Sequence, residues 1–292
     1  MTASCDAILP KTQPGSFWTA RALPYSANWR SITYGNELFV AIAWDSASSA
    51  VSHDGKTWTP GNLPFSGEWY SVAYGNGIFI AVAFNSTSIA RSTDGLNWTE
   101  HTLNSVDNNW NWIAYGNDVF VAIARSSSSV RVSSDGITWG AHTLPVRNWS
   151  SLAFGNGVFI AVPDGDEYIA ISANGETWSE IMLPQSAAWY DIKYGNGFFV
   201  IVARNSDLVA ISNDGINWTI KTLPEVSDWR AIGFGYSIFV LVANDSASVA
   251  ISQDGINWTS SVLPSIAEWT SVAYGQNRFV TVSYGNLAAS SP

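Results

Sequence analysis

Sulfur is nearly absent from this chain. Cys5 is its single cysteine, and two methionines complete the sulfur content of 292 residues. An intrachain disulfide is impossible, so the fold must hold by packing alone, which suits a reducing compartment. Charge is scarce as well. Only 12% of residues are charged, and 13 Lys and Arg face 23 Asp and Glu, for a net charge of −10. No basic stripe offsets that balance, which excludes a polyanionic nucleic acid as the expected partner. Long apolar runs are missing too. The longest, such as Leu38 to Trp44, are strand-sized, so membrane insertion is not expected. Met1 to Pro14 has no basic segment leading into an apolar one, so no secretory signal is expected and synthesis is placed in the cytoplasm. Histidine is limited to His53, His101 and His142, all at or after hairpin corners, and no metal or cofactor is expected.

Tryptophan, by contrast, is abundant and regular. Trp18, Trp58, Trp98, Trp139, Trp178, Trp218 and Trp258 recur at intervals of 39 to 41 residues. Trp29, Trp69, Trp110, Trp149, Trp189, Trp229 and Trp269 keep the same beat, leaving only Trp44 and Trp112 outside it. A period near forty is too long for helix or strand geometry, so it marks a supersecondary unit copied seven times. Within one copy, Trp29–Tyr34 reads as a strand and Gly35-Asn36 as a turn. Leu38–Ala43 reads as a buried strand, Ser49–Ser52 as a third, Asp54-Gly55 as a hairpin corner, and Thr57–Pro64 as a fourth strand ending at proline. Four short antiparallel strands per unit predict propeller blades.

The chain ends are out of phase with the unit. The last copy stops after its third strand, at Leu287–Ser290, while Gly15–Pro24 supplies a fourth strand with nothing before it. The expectation is an all-β, seven-bladed β-propeller over residues 15–292, closed by an N-terminal strand that completes the last blade three plus one. Residues 1–14 form a tail. Closure of this kind removes open sheet edges.

Six copies carry Ser, one residue, Asp or Asn, Gly, two residues, then Trp, as in Ser52-His53-Asp54-Gly55-Lys56-Thr57-Trp58. This resembles the Asp-box of sialidase-type propellers, with one residue fewer between acid and glycine. The resemblance implies a structural turn remote from the ligand face. The forty-residue pattern as a whole is similar to repeat propellers of bacteriophage and bacterial proteins, which implies association with a virion or tail.

Positions that differ between copies carry the functional expectation. After the second tryptophan row stand Arg30, Tyr70, Asn111, Ser150, Tyr190, Arg230 and Thr270. At the second-to-third loop stand Trp44, Phe84, Arg125, Asp164, Arg204, Asn244 and Tyr284. In propellers these two sets share one face. Aromatic rings beside Arg and Asn suit sugar stacking and multi-donor hydrogen bonding. The candidate ligand residues are Arg30, Trp44, Tyr70, Phe84, Asn111, Trp112, Arg125, Tyr190, Arg204, Arg230 and Tyr284; the bland alternative is surface drift. An edge of the Trp29 row is a further candidate platform. Asp191 and Lys193 share a strand face near the channel and are expected to pair. Asp164-Gly165-Asp166-Glu167 is expected to be a solvated acidic turn.

Sialidase-type catalysis needs three arginines, a tyrosine–glutamate pair and an aspartate acid, and Asp191 is the one acid on an inner strand. No carboxylate pair, serine or cysteine triad, or phosphate loop assembles, so no enzyme is expected. The leading expectation is therefore a lectin-like binding propeller for a carbohydrate or cell-surface receptor. A scaffold for other proteins of a virion or complex is the first alternative, and a sialidase-like glycoside hydrolase the second.

Overall fold

The computed structural model describes residues 13–292, so residues 1–12 of the expected tail lie outside the described residues. Among the described residues every regular element is a β-strand, twenty-five of them between Thr19 and Ser291. A representative unit runs Trp149–Gly155, Val158–Pro163, Tyr168–Ser172 and Ser179–Met182. These pair antiparallel in chain order as one four-stranded sheet. Asn156 and Gly157 make its first turn with positive φ of 45° and 79°, a conformation cheap for Asn and Gly. Sheets of the same order begin at Trp110, Trp189 and Trp229. The fold is a β-propeller with blades of four antiparallel strands.

The other nine strands form one continuous sheet. Its continuity comes from two 17-residue strands, Thr19–Gly35 and Thr59–Gly75. Thr59–Asn62 pairs back onto Ser48–Val51, while Glu68–Gly75 pairs forward onto Ile78–Phe84. One strand therefore closes one blade and opens the next. The expected strand end at Leu63-Pro64 is corrected accordingly. The register breaks between Asn62 and Gly67, and Pro64 sits in that break, where no ladder amide is needed. At the other end of the sheet, Thr19–Ala22 pairs with Leu287–Ser290, and the Ser291 hydroxyl accepts the Gly15 amide at 2.8 Å.

The second strand of each blade is the most deeply buried. Val40, Ala41, Ile42 and Ala43 have no exposed surface, which accounts for their being apolar on both faces. The whole second tryptophan row is fully buried. Each indole contributes roughly 4–6 kcal/mol of gross hydrophobic burial. Most of its N–H groups donate to a carbonyl three or four residues back, as Trp149 does to Pro145 at 3.0 Å. With no edge at the surface, this row is not a stacking platform. The first row is shallower: Trp18, Trp58, Trp139 and Trp218 are buried, and Trp98, Trp178 and Trp258 half-buried.

The Ser-X-Asp/Asn-Gly corners explain themselves locally. Asp94 accepts the amides of Leu96 and Asn97 at 2.9 and 2.8 Å and the Asn97 side-chain amide at 2.7 Å, while the Ser92 hydroxyl accepts the Gly95 amide at 2.9 Å. Gly95 takes φ of +70°, and the Trp98 indole donates to its carbonyl.

Candidate functional site: the channel mouth

In every blade the register of the first strand slips by one residue just after the buried tryptophan, between Trp29 and Ser31, Trp69 and Ser71, and onward to Trp269 and Ser271. The extra residue is the one that differs between copies. A bulge re-aims a side chain out of the ladder, so these residues leave the sheet near the channel mouth. Short polar side chains there tie blades together. Asn111 donates to the Trp149 carbonyl at 2.7 Å, Ser150 to the Tyr190 carbonyl at 2.6 Å, and Thr270 to the Trp29 carbonyl at 2.8 Å. Long ones reach further and meet each other.

Arg30 is the centre of that meeting. It donates to the Tyr190 hydroxyl at 3.1 Å and lies over the Tyr70 ring at 4.1 Å from its centroid. Arg204 and Arg230 stand over the Tyr190 ring at 4.7 and 5.4 Å. Burial opposes the charge of Arg30, but the facing hydroxyls of Tyr190 and Tyr70 outweigh it and hold the guanidinium firmly charged. Burial likewise pushes the Tyr190 phenol up, and Arg30 and Arg230 bring it below the ordinary tyrosine range.

An aromatic shelf adjoins this cluster. Trp44 stacks on Phe84 with centroids 6.2 Å apart and meets Tyr70 edge-on at 5.3 Å. Tyr284 stands opposite Asn28 in the ladder between the last strand and the first. On the far side Asp164 bridges two arginines, Arg125 at 3.1 Å and Arg204 at 2.9 Å, and Arg125 also donates to Asn148 at 2.6 Å. The expected ligand residues Arg30, Trp44, Tyr70, Phe84, Arg125, Tyr190, Arg204 and Arg230 are thus joined in one network of contacts, in which Arg30 and Tyr190 are buried. No side-chain contact ties Tyr284 to it among the described residues.

Below the mouth lies a cavity of about 250 Å³, with Arg30, Tyr70, Trp112, Tyr190, Lys193 and Arg230 in its wall. A smaller chamber of about 120 Å³ follows, and Lys193 lines both. Trp112 belongs to this wall rather than to the mouth, its indole donating to the Leu152 carbonyl at 3.1 Å.

Three expectations need correction. Asn111 is fully buried in its blade-bridging role and presents nothing to the mouth. Asp191 does not pair with Lys193, since the two make no ion pair among the described residues. Its carboxylate instead accepts the Ser151 hydroxyl at 2.5 Å and the Ile192 and Ile232 amides at 2.8 and 3.0 Å. It fills a place where Ser31, Ser71 and Ser271 take a neighbouring blade's amide. Burial still raises the Asp191 pKa, and the channel walls lower that of Lys193. The acidic run at Asp164 is not a free solvated turn, because Asp164 holds Arg125 and Arg204 while Asp166 holds Arg147.

One set of residues escaped the sequence reading. In three blades the residue before the buried tryptophan makes side-chain contacts of its own. Asp228 accepts from Arg230 at 2.8 Å, Asn148 serves Arg125, and Glu68 accepts from Asn85 at 3.2 Å. Its variability between copies was the available signal.

Residues 17–156 match the DUF6242 beta propeller domain. No curated protein sequence matches the chain. Among solved structures, a streptogramin B lyase superposes with a TM-score of 0.84 at 13% identity, over 94% of this chain and 97% of that one. YCF48 from Cyanidioschyzon merolae gives 0.74 at 14% identity, over 94% and 98%. The WD40 beta propeller domain of Doa1 gives 0.72 at 14%, over 95% and 97%. Likeness at this identity is likeness of fold. It corrects the expectation that the chain is not an enzyme: virginiamycin B lyase from Staphylococcus aureus is an enzyme on the same fold, with a TM-score of 0.84 at 13% identity over 94% and 98% of the two chains. The propeller architecture is therefore no ground for excluding catalysis.

Proposed function

We propose that the protein is a seven-bladed propeller that recognises a saccharide at its channel mouth. The blade count rests on counting the nine-stranded sheet as three blades, joined through its long strands and added to the four separate sheets. A recurring contact supports the ring. A Cβ on Gly35 would fall 2.0 Å from the Tyr74 ring, and the same glycine–aromatic contact repeats blade by blade until Gly275 meets Tyr34. The pairing of Thr19–Ala22 with Leu287–Ser290 supports three-plus-one closure.

The observation that carries the saccharide reading is the shelf of Trp44, Tyr70 and Phe84 beside the guanidinium cluster. Sugar C–H faces pack on rings, and planar guanidinium groups bridge hydroxyl pairs. The cavity is at the small end of ligand pockets, which suits one or two sugar rings rather than a large cofactor. A glycan array followed by titration calorimetry tests this. Trp44→Ala and Tyr70→Ala are expected to weaken binding roughly tenfold each. YCF48 has been solved with a peptide, so a peptide is the competing occupant; peptide binding with no saccharide bound would overturn the reading.

A further inference from the structure

The charges around the cavity do not balance. Four guanidinium groups surround the mouth. Asp164 is shared by Arg125 and Arg204, and Asp228 takes Arg230. Arg30 has no carboxylate within ion-pair distance among the described residues, although it is only 8% exposed. Its bond to Tyr190 uses one of five guanidinium N–H donors, and the group lines the cavity. Deeper in the same wall, Lys193 also lacks an ion-pair partner among the described residues. The acid that could have neutralised it, Asp191, is committed to a hydroxyl and two backbone amides.

A buried guanidinium without a counter-charge is costly in a protein that has carboxylates to spare. Here the whole chain carries −10, yet the cavity wall presents Arg30, Arg230 and Lys193 against Asp191 alone. This excess of cation is local and lines the larger of the two cavities described. Low-dielectric walls strengthen such a field for whatever occupies them. A carboxylate also matches the planar fork of a guanidinium in a way that a sugar hydroxyl does not.

We propose that the saccharide bound at the mouth is an acidic one, a uronate whose carboxylate docks on Arg30 above Lys193 while its ring rests on the aromatic shelf. The proposal rests on the saccharide reading and narrows it to one charge class. Arg30 supplies the directional contact. Lys193, three residues beyond Tyr190 on the same strand, adds a positive field from below.

The test compares hexuronate oligosaccharides with the same oligosaccharides after carboxyl reduction, titrated into the full chain by calorimetry at two salt concentrations. The acidic form is expected to bind roughly tenfold or more tightly, with the gap narrowing as salt rises. Arg30→Gln is expected to abolish the gap, weakening the acidic form far more than the reduced form. Should that variant fail to fold, Lys193→Met is read instead; it is expected to weaken the acidic form several-fold and reduce its salt dependence. Equal affinity for the acidic and reduced forms on the unmodified protein would overturn the acidic preference and leave saccharide binding standing. No binding of either form would overturn both.

Discussion

Single polar side chains do two different jobs in this molecule, and the hairpin corners show the simpler one. At Asp94, burial pushes the carboxyl up, but the bonds from Asn97, Leu96 and Ser92 outweigh it and hold the pKa at about 2. Asp54 and Asp254 are held at about 2 in the same manner. A folded-state pKa below the unfolded value of 3.8 gives stability that is present above about pH 4 and lost as pH falls through about 2. Asp94→Ala is expected to cost about 1 kcal/mol at neutral pH, toward the low end because the turn faces water. The gap from the unsubstituted protein should shrink toward pH 2 in thermal unfolding scans. The protein contains its own control: Asn174 accepts the Glu176 and Thr177 amides at 3.0 and 3.1 Å without a charge. Asp94→Asn is therefore expected to keep most of the turn's stability and flatten its pH dependence. These corners were legible in the sequence because every partner lies within three residues. Asn111 and Asp191 were not, because their partners lie 38 to 41 residues away on another blade.

At the scale of the strand, alternation and turn residues predicted each element, but not the two departures from regularity that matter most. The bulge after each buried tryptophan adds no residue type of its own; the pattern Trp-X-Ser reads the same with or without a register slip. Yet the slip decides whether X points into the ladder or out toward the mouth. The break around Leu63-Pro64 is the second departure, and it turns an expected strand end into a crossing between blades. The glycine that ends each first strand was read as a turn former, whereas the structure gives it a packing role. A Cβ on Gly116 would fall 2.0 Å from Cγ of Phe154 in the next blade. Gly116→Ala is expected to destabilise by about 1–3 kcal/mol through overpacking. Adding Phe154→Leu should recover part of that loss in denaturant titrations. Additive losses would show that the ring contact is not the cause.

For the whole molecule the decisive contact is the one that joins the two ends of the described chain. The expectation of three-plus-one closure rests on counts of repeat units, which survive any error in strand boundaries, and the pairing of Thr19–Ala22 with Leu287–Ser290 supports it. The charge excess in the cavity wall was harder to foresee. It depends on which arginines find carboxylates, and Asp164 and Asp228 could be assigned to Arg204 and Arg230 only in three dimensions. The proposed closure has a mechanical consequence. Trp18 is 6% exposed and packs among Val240, Ile251 and Trp269, so the N-terminal strand fills a core as well as completing a sheet. Deleting residues 1–24 would expose the edge at Leu287–Ser290 and empty that core site. Loss of the indole alone costs about 3–5 kcal/mol, and the bare edge invites pairing between copies. The truncated protein is expected to melt well below the full chain and to aggregate with a dependence on concentration. A permuted chain that carries residues 13–24 after Pro292, through a short glycine–serine linker, should regain the melting temperature and stay monodisperse in light scattering. If truncation left both measurements unchanged, the N-terminal strand would be an appendage and the ring would close without it.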